Sequence, residues 1–133
     1  MSRENVELMR RMNEAFNRDD IEATLAFYHP LVEWRDVNHP PDAPEYARGT
    51  DALREIWDGW RAAFGALRAD VQEFIDAGSA VISVTRWHAD GRVGPSVDQM
   101  FAEVYEFEGG LIVRATLGYS SRHRALKAVG LEE

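Results

Sequence analysis

The chain has 133 residues, 45% of them apolar and 11% aromatic, which is enough for one real core and predicts a single domain over 1–133. Its 15 Lys and Arg against 23 Asp and Glu leave a formal charge of −8, a field that repels phosphate backbones and anionic lipid, so no nucleic acid and no membrane surface is expected as a partner. The lack of cysteine removes thiol nucleophiles, disulfides and thiolate metal ligands, and any catalysis must run on carboxylates, imidazoles, hydroxyls or guanidinium groups.

The opening "MSRENVELMRRM" has no apolar run of the kind a secretory leader needs, and stretches such as "AVI" at 80–82 and "LIV" at 111–113 are far too short to span a bilayer. A soluble, cytoplasmic protein is the expectation. Residues 3–18 place Val6, Met9, Met12 and Phe16 at intervals of three and four, with Arg10, Arg11, Glu14 and Arg18 between them, which predicts an amphipathic helix. In "RDDIEATLAFYHP" either Asp19 or Asp20 caps a second short helix, Glu22 favours its first turn, and Pro30 marks its end. The strand "LVEWRD" follows, where Trp34 and Asp36, two residues apart, look to the same side. A proline-rich loop leads to a third helix with Leu53, Ile56, Trp57, Trp60, Phe64 and Leu67 as its apolar stripe and Thr50 as its cap.

After residue 68 the apolar period drops from about 3.6 to about 2. Four strands are predicted, "ADVQEFID", "AVISVTRWHA", "VDQMFAEVYEFE" and "LIVRATLGYS", joined by Gly-bearing turns, and then a short helix in "RHRALKAVGLEE" closed by Gly130. Helices first and strands after them argue α+β, with helices on one face of an antiparallel sheet. On the strand at 97–107 the odd positions are Val97, Gln99, Phe101, Glu103, Tyr105 and Phe107, yet the even ones include Met100, Ala102 and Val104. Neither face is wholly polar, so a second surface should cover the outer one, and a homodimer through the sheet is the simplest candidate.

The segments "AFNRDDIEATLAFYHPLVEWRD", "RGTDALREIW", "FEGGLIVRATLGY" and "RALKAVGL" together resemble the SnoaL-like, or ketosteroid-isomerase-like, branch of the nuclear transport factor two superfamily. The resemblance implies a conical barrel in which a curved, mainly antiparallel sheet wraps N-terminal helices around one pocket. It also implies a small-molecule pocket protein without a cofactor. Isomerase, cyclase or hydratase chemistry on an apolar cyclic or polyketide-like substrate is one reading, and a noncatalytic hydrophobic-ligand-binding or dimeric interaction module is the alternative. The ligand in either case is a small apolar or amphipathic molecule.

The ketosteroid isomerase pattern puts its proton-shuttling aspartate at Asp36, its second carboxylic acid at Glu103 and its oxyanion-holding tyrosine at Met12, whose thioether cannot donate a hydrogen bond. The epoxide hydrolase pattern wants an arginine two residues before an aspartate, where positions 99, 101 and 103 read Gln, Phe and Glu. Two carboxylates in an apolar cone divide labour when burial and mutual repulsion raise one of them, making Asp36 the base and Glu103 the acid. The plainer reading is that Asp36 caps a loop and that Glu103 makes a cross-strand pair with Arg86 or Arg114. Phe16, Trp34, Trp60, Phe101, Tyr105 and Tyr119, with Met12, are the expected pocket lining, and Trp57 is expected in the core. The spacing of His29, His39, His88 and His123 gives no metal motif and no metal is expected; His39, in the loop "NHPPDAPEY", is the candidate lid residue and proton shuttle. Arg122, His123, Arg124 and Lys127 read as a basic, solvated end of the last helix.

Overall fold

The spacing of Val6, Met9, Met12 and Phe16 produces α1 (Ser2–Asn17), which sinks Met9 and Met12 into the main core of a computed structural model that describes residues 2–38 and 44–131. Asp20 caps α2 (Ile21–Leu25), its Oδ1 accepting the Ala23 N–H at 3.0 Å. Pro30 does not end this helix. α2 stops at Leu25, and Pro30 lies inside β1 (Tyr28–Asp36), at the register irregularity between Tyr28 and Glu33 where β1 pairs with β6, a place in a ladder that tolerates a missing N–H. Thr50 is likewise the first residue of α3 (Thr50–Phe64) rather than its cap. The cap is Gly49, held at φ 91 with its N–H donating to the Val32 carbonyl at 2.7 Å, a conformation in which a side chain would be strained.

The segment read as loop before α3 contains a short strand, β2 (Tyr46–Arg48), antiparallel to β1. The four later strands fall where alternation places them: β3 (Arg68–Ala77), β4 (Ala80–Ala89), β5 (Val97–Glu108) and β6 (Leu111–Tyr119). Gly109 at φ 58 and Gly110 at φ 80 make the two-residue turn between β5 and β6 that the strand twist favours. α4 (Arg122–Ala128) is capped by Ser121 and closes on Gly130, whose N–H reaches the Lys127 carbonyl while Leu131 N–H reaches that of Leu126.

The sheet runs β2-β1-β6-β5-β4-β3, with β1 parallel to β6 and every other pair antiparallel. It is curved and unclosed, and its register shifts in β1/β6, β3/β4 and β5/β6 are bulges of the kind that bend strands. The fold is therefore the expected α+β cone, with the N-terminal helices and α3 against the concave face. The shift between Val71 and Glu73 keeps Val71 in the cone's lining while Phe74 packs on the main core. The outer edge of β3 is held by α1: Asn17 donates to the Ala69 carbonyl at 2.8 Å and accepts the Ala69 N–H at 2.8 Å.

The convex face has its own core, in which Ala125 and Leu126 of α4 cover Ala80, Ile82, Ala102 and Val104. The chain's own helix thus buries most of the apolar residues taken as the motive for a homodimer; Met100, 47% exposed, is the remainder. No helix among the described residues is long and apolar enough to cross a membrane.

Asn17→Ala removes two of the three side-chain bonds that α1 makes to Ala69, leaving its carbonyl to Asn13 and its N–H without the Asn17 acceptor, so it should lower the urea midpoint by the equivalent of roughly 1–3 kcal/mol at an unchanged m-value.

Candidate functional site

Alternation on β5 turns Phe101, Glu103 and Tyr105 into the cone. β4 meets them with Val81, Ser83, Thr85 and Trp87 on its own inward face, Ser83 standing opposite Glu103 and Thr85 opposite Phe101. Glu103 is 1% exposed. Its Oε1 accepts the Thr85 hydroxyl at 2.7 Å and the Ser83 hydroxyl at 2.8 Å, and its Oε2 accepts the Trp87 indole N–H at 3.3 Å. Neither arginine proposed for it is its partner. Arg86 forks onto Asp98 at 2.7 and 2.9 Å, and Arg114 pairs with Glu33 and Glu106, all on exposed positions.

Burial without a cation pushes the Glu103 carboxyl up to about 7, against the hydrogen bonds from Thr85, Ser83 and Trp87, which hold it down; the charge of Asp36 adds a smaller upward push. Asp36 ends β1, two residues beyond buried Trp34, and its Oδ1 accepts the Asn38 N–H at 2.8 Å. It shares with Glu103, Trp60, Phe64, Phe101 and Leu117 a depression of about 150 Å³ at the mouth of the cone. The backbone of β6 leaves room for it only because residue 118 is glycine. A Cβ there would meet Asp36 Oδ1 and come within 2.8 Å of Asn38 Cβ, in a backbone already at φ +89.

Deeper lies a second, smaller cavity of about 30 Å³, room for one water-sized group. Met12, Phe16, Tyr28, Trp34, Ser83, Thr85 and Tyr105 line it, and Trp60, Trp87, Leu117 and Glu103 are common to both spaces. Edge-to-face contacts fix these rings: Trp60 to Trp87 at 6.0 Å, Trp87 to Phe16 at 5.7 Å, Phe16 to Trp57 at 6.0 Å and Trp57 to Tyr28 at 5.7 Å. The Tyr28 and Tyr105 phenols are both raised, chiefly by burial and further by Glu103, so they stay neutral and act as hydrogen-bond donors rather than bases. Tyr28 donates only to the Met12 sulfur, at 4.0 Å, and Ser83 is hydrogen-bonded to Tyr105 as well as to Glu103.

Residues 9–115 match the SnoaL-like domain family. The chain belongs to that family. No curated protein sequence matches this SnoaL-like chain. Among solved structures it is similar to a nuclear transport factor two-like protein of unknown function from Burkholderia pseudomallei, with 22% identity and a TM-score of 0.78 over 95% of this chain and 97% of that one. It is similar to TerC co-crystallised with polyporic acid, with 19% identity and a TM-score of 0.78 over 96% and 98%. It also resembles IdmH, a putative polyketide cyclase from Streptomyces antibioticus, with 18% identity and a TM-score of 0.72 over 85% and 89%.

Within this SnoaL-like cone the structure brings together Asp36, Glu103, Met12, Phe16, Trp34, Trp60, Phe101 and Tyr105. Tyr119 is a correction. It lies on the convex side, packed with the α4 core, and lines a separate outer depression with Asn38, Arg124 and Lys127, because the register shift between Ala102 and Val104 sets it opposite Ala102 and turns it away from the face of Ala115 and Leu117. His39 lies outside the described residues. His29 accepts the Leu31 N–H at 3.0 Å and His88 Nε2 sits 2.9 Å from Asp70; no group of three or more His, Asp or Glu among the described residues is arranged to hold a metal ion. Sequence reasoning missed Ser83, Thr85 and Trp87 as the partners of Glu103, and Tyr28 as the phenol beside Met12. The two hydroxyl residues on the inward face of a strand otherwise lined by Val81 and Trp87 were the available signal.

A carboxyl raised in the native state makes stability fall as pH rises. Glu103's contribution is fully present below about 4.5, declines as pH approaches about 7 and is gone above it, a change on the order of 3 kcal/mol. Urea midpoints should follow that course in the native protein and lose most of it in Glu103→Gln. Gly118→Ala should cost about 1–3 kcal/mol by the same measurement, from its strained φ and its collision with Asp36.

Proposed function

We propose that this SnoaL-like protein binds a small apolar or amphipathic ring compound at the mouth of its cone and moves a proton on it with Asp36 and Glu103, without a cofactor. The observation that carries this reading is Glu103, a carboxyl buried among neutral donors, poised near neutrality and sharing a cavity with the more exposed Asp36. Asp36 takes a proton from the carbon beside a ligand carbonyl. Protonated Glu103 donates a hydrogen bond to the carbonyl oxygen as negative charge develops there, and Asp36 returns the proton to the same or a neighbouring carbon. The donor missing at Met12 is offset by Tyr28 and Tyr105, whose neutral phenols line the adjoining cavity; Tyr28 has only a weak sulfur acceptor to give up. The same fold co-crystallised with polyporic acid as TerC, and described as a putative polyketide cyclase as IdmH, accords with such a ligand. Isomerisation, cyclisation and hydration all draw on this one proton transfer.

A noncatalytic ligand-binding role is the second reading, favoured by the thioether of Met12 and by the small inner cavity. Deuterium uptake by 2-tetralone in heavy water separates them. The native protein should accelerate exchange at the carbons beside the carbonyl, and Asp36→Asn and Glu103→Gln should each lower the rate by roughly 10²-fold or more while remaining folded. Binding of the ketone with no acceleration would leave only the noncatalytic reading.

A further inference from the structure

The two cavities of the cone meet at one wall. Trp60, Trp87 and Leu117 face both the inner space of about 30 Å³ and the mouth of about 150 Å³, and Glu103 touches both. Trp87 is the least secured part of that wall. It is partly exposed near the end of β4, it meets Phe16 and Trp60 in edge-to-face contacts with ring centres at 5.7 and 6.0 Å, and it borders both cavities, where dispersion contacts are missing. Its single polar tie is the longest of the three bonds to Glu103, 3.3 Å against 2.7 and 2.8 Å.

That tie decides what can replace the indole. Oε1 of Glu103 keeps Ser83 and Thr85 whatever Trp87 does, whereas Oε2 has the indole N–H as its one donor among the described residues. A ring that pushes Trp87 aside without bringing a donor strands a buried carboxylate oxygen, and a ring that carries an O–H restores the bond with a shorter, charge-assisted one. The slot the indole leaves is flat, with the rings of Phe16 and Trp60 standing at 85° and 73° to its plane, so it takes a planar ring and disfavours a puckered one.

We propose that Trp87 is a displaceable partition, and that the two cavities are halves of one chamber built for a planar ring compound bearing a phenol- or enol-type hydroxyl, which takes over the indole's hydrogen bond to Glu103. This names the ligand class of the site and rests on the reading that the cone is a small-molecule pocket; it does not need the proton transfer. Trp87 is then a positioning residue that holds Oε2 satisfied until the ligand arrives.

Calorimetric titration of the native protein, whose Glu103 is mostly charged at about pH 8, and of Trp87→Phe at the same pH tests it with three probes of nearly one shape: 2-naphthol, 2-methoxynaphthalene and naphthalene. The native protein should bind 2-naphthol at least tenfold more tightly than either probe without a donor. Trp87→Phe, which removes the bond that entry must break and frees space, should bind 2-naphthol about tenfold more tightly than the native protein does. A fixed wall gives the opposite sign, and weaker binding of 2-naphthol to Trp87→Phe overturns the proposal. So does equal binding of the three probes by the native protein, or no binding of any of them. Should the variant fail to fold, the native protein's ranking of the probes decides alone. Exchange on 2-tetralone without the naphthol preference removes the chamber and leaves the chemistry; the preference without exchange removes the chemistry and leaves the chamber.

Discussion

A carboxyl group taken out of water with no cation beside it must be satisfied by neutral donors or surrender its charge, and Glu103 sits at the balance point between the two. Much of the architecture around it follows from keeping it there. β4 must lie antiparallel to β5 in the register that sets Ser83 opposite Glu103 and Thr85 one pair along, since a slip of one residue would turn Ile82 and Val84 inward in their place. The aromatic residues of α1 and α3 must close the cone above these hydroxyls, because open access to water would return the acid to its ordinary range. α4, on the far side of the same strands, buries Ile82 and Val104 and so holds the other face of the pairing that the acid depends on.

The pattern of periods was legible in the sequence because each face of each element is either wet or dry, and that difference writes itself as 3.6 or 2. Strands β4 and β5 were readable to the residue for this reason. What escaped were the places where local rules yield to a partner far away in the chain. Pro30 reads as a stop signal until β6 shows that the ladder is already interrupted there. β2 is three residues long, too short for alternation, and exists because β1 offers it an edge. Tyr119 falls on the convex side, because parity along β6 does not survive the bulge opposite β5.

At the site, Asp36 and Glu103 were recognisable by position, and so was the apolar company they keep. Their division of roles was not, because it depends on burial and on which neighbours donate. Nothing in "AVISVTRWHA" alone says that its serine, threonine and tryptophan converge on one carboxylate twenty residues later. The same applies to Met12, which reads as a lost donor until the phenol of Tyr28 is found reaching across from β1 to the position beside it.

The chain has 4 tryptophans, Trp34, Trp57, Trp60 and Trp87, and all of them line the inner cavity in one connected set of ring contacts with Phe16 and Tyr28. Tryptophan emission from this protein, excited where tyrosine does not absorb, is therefore a spectroscopic report on its cone. No tryptophan stands outside the cone to dilute the signal, and energy absorbed by any ring of the set passes readily to the one that a visiting molecule quenches.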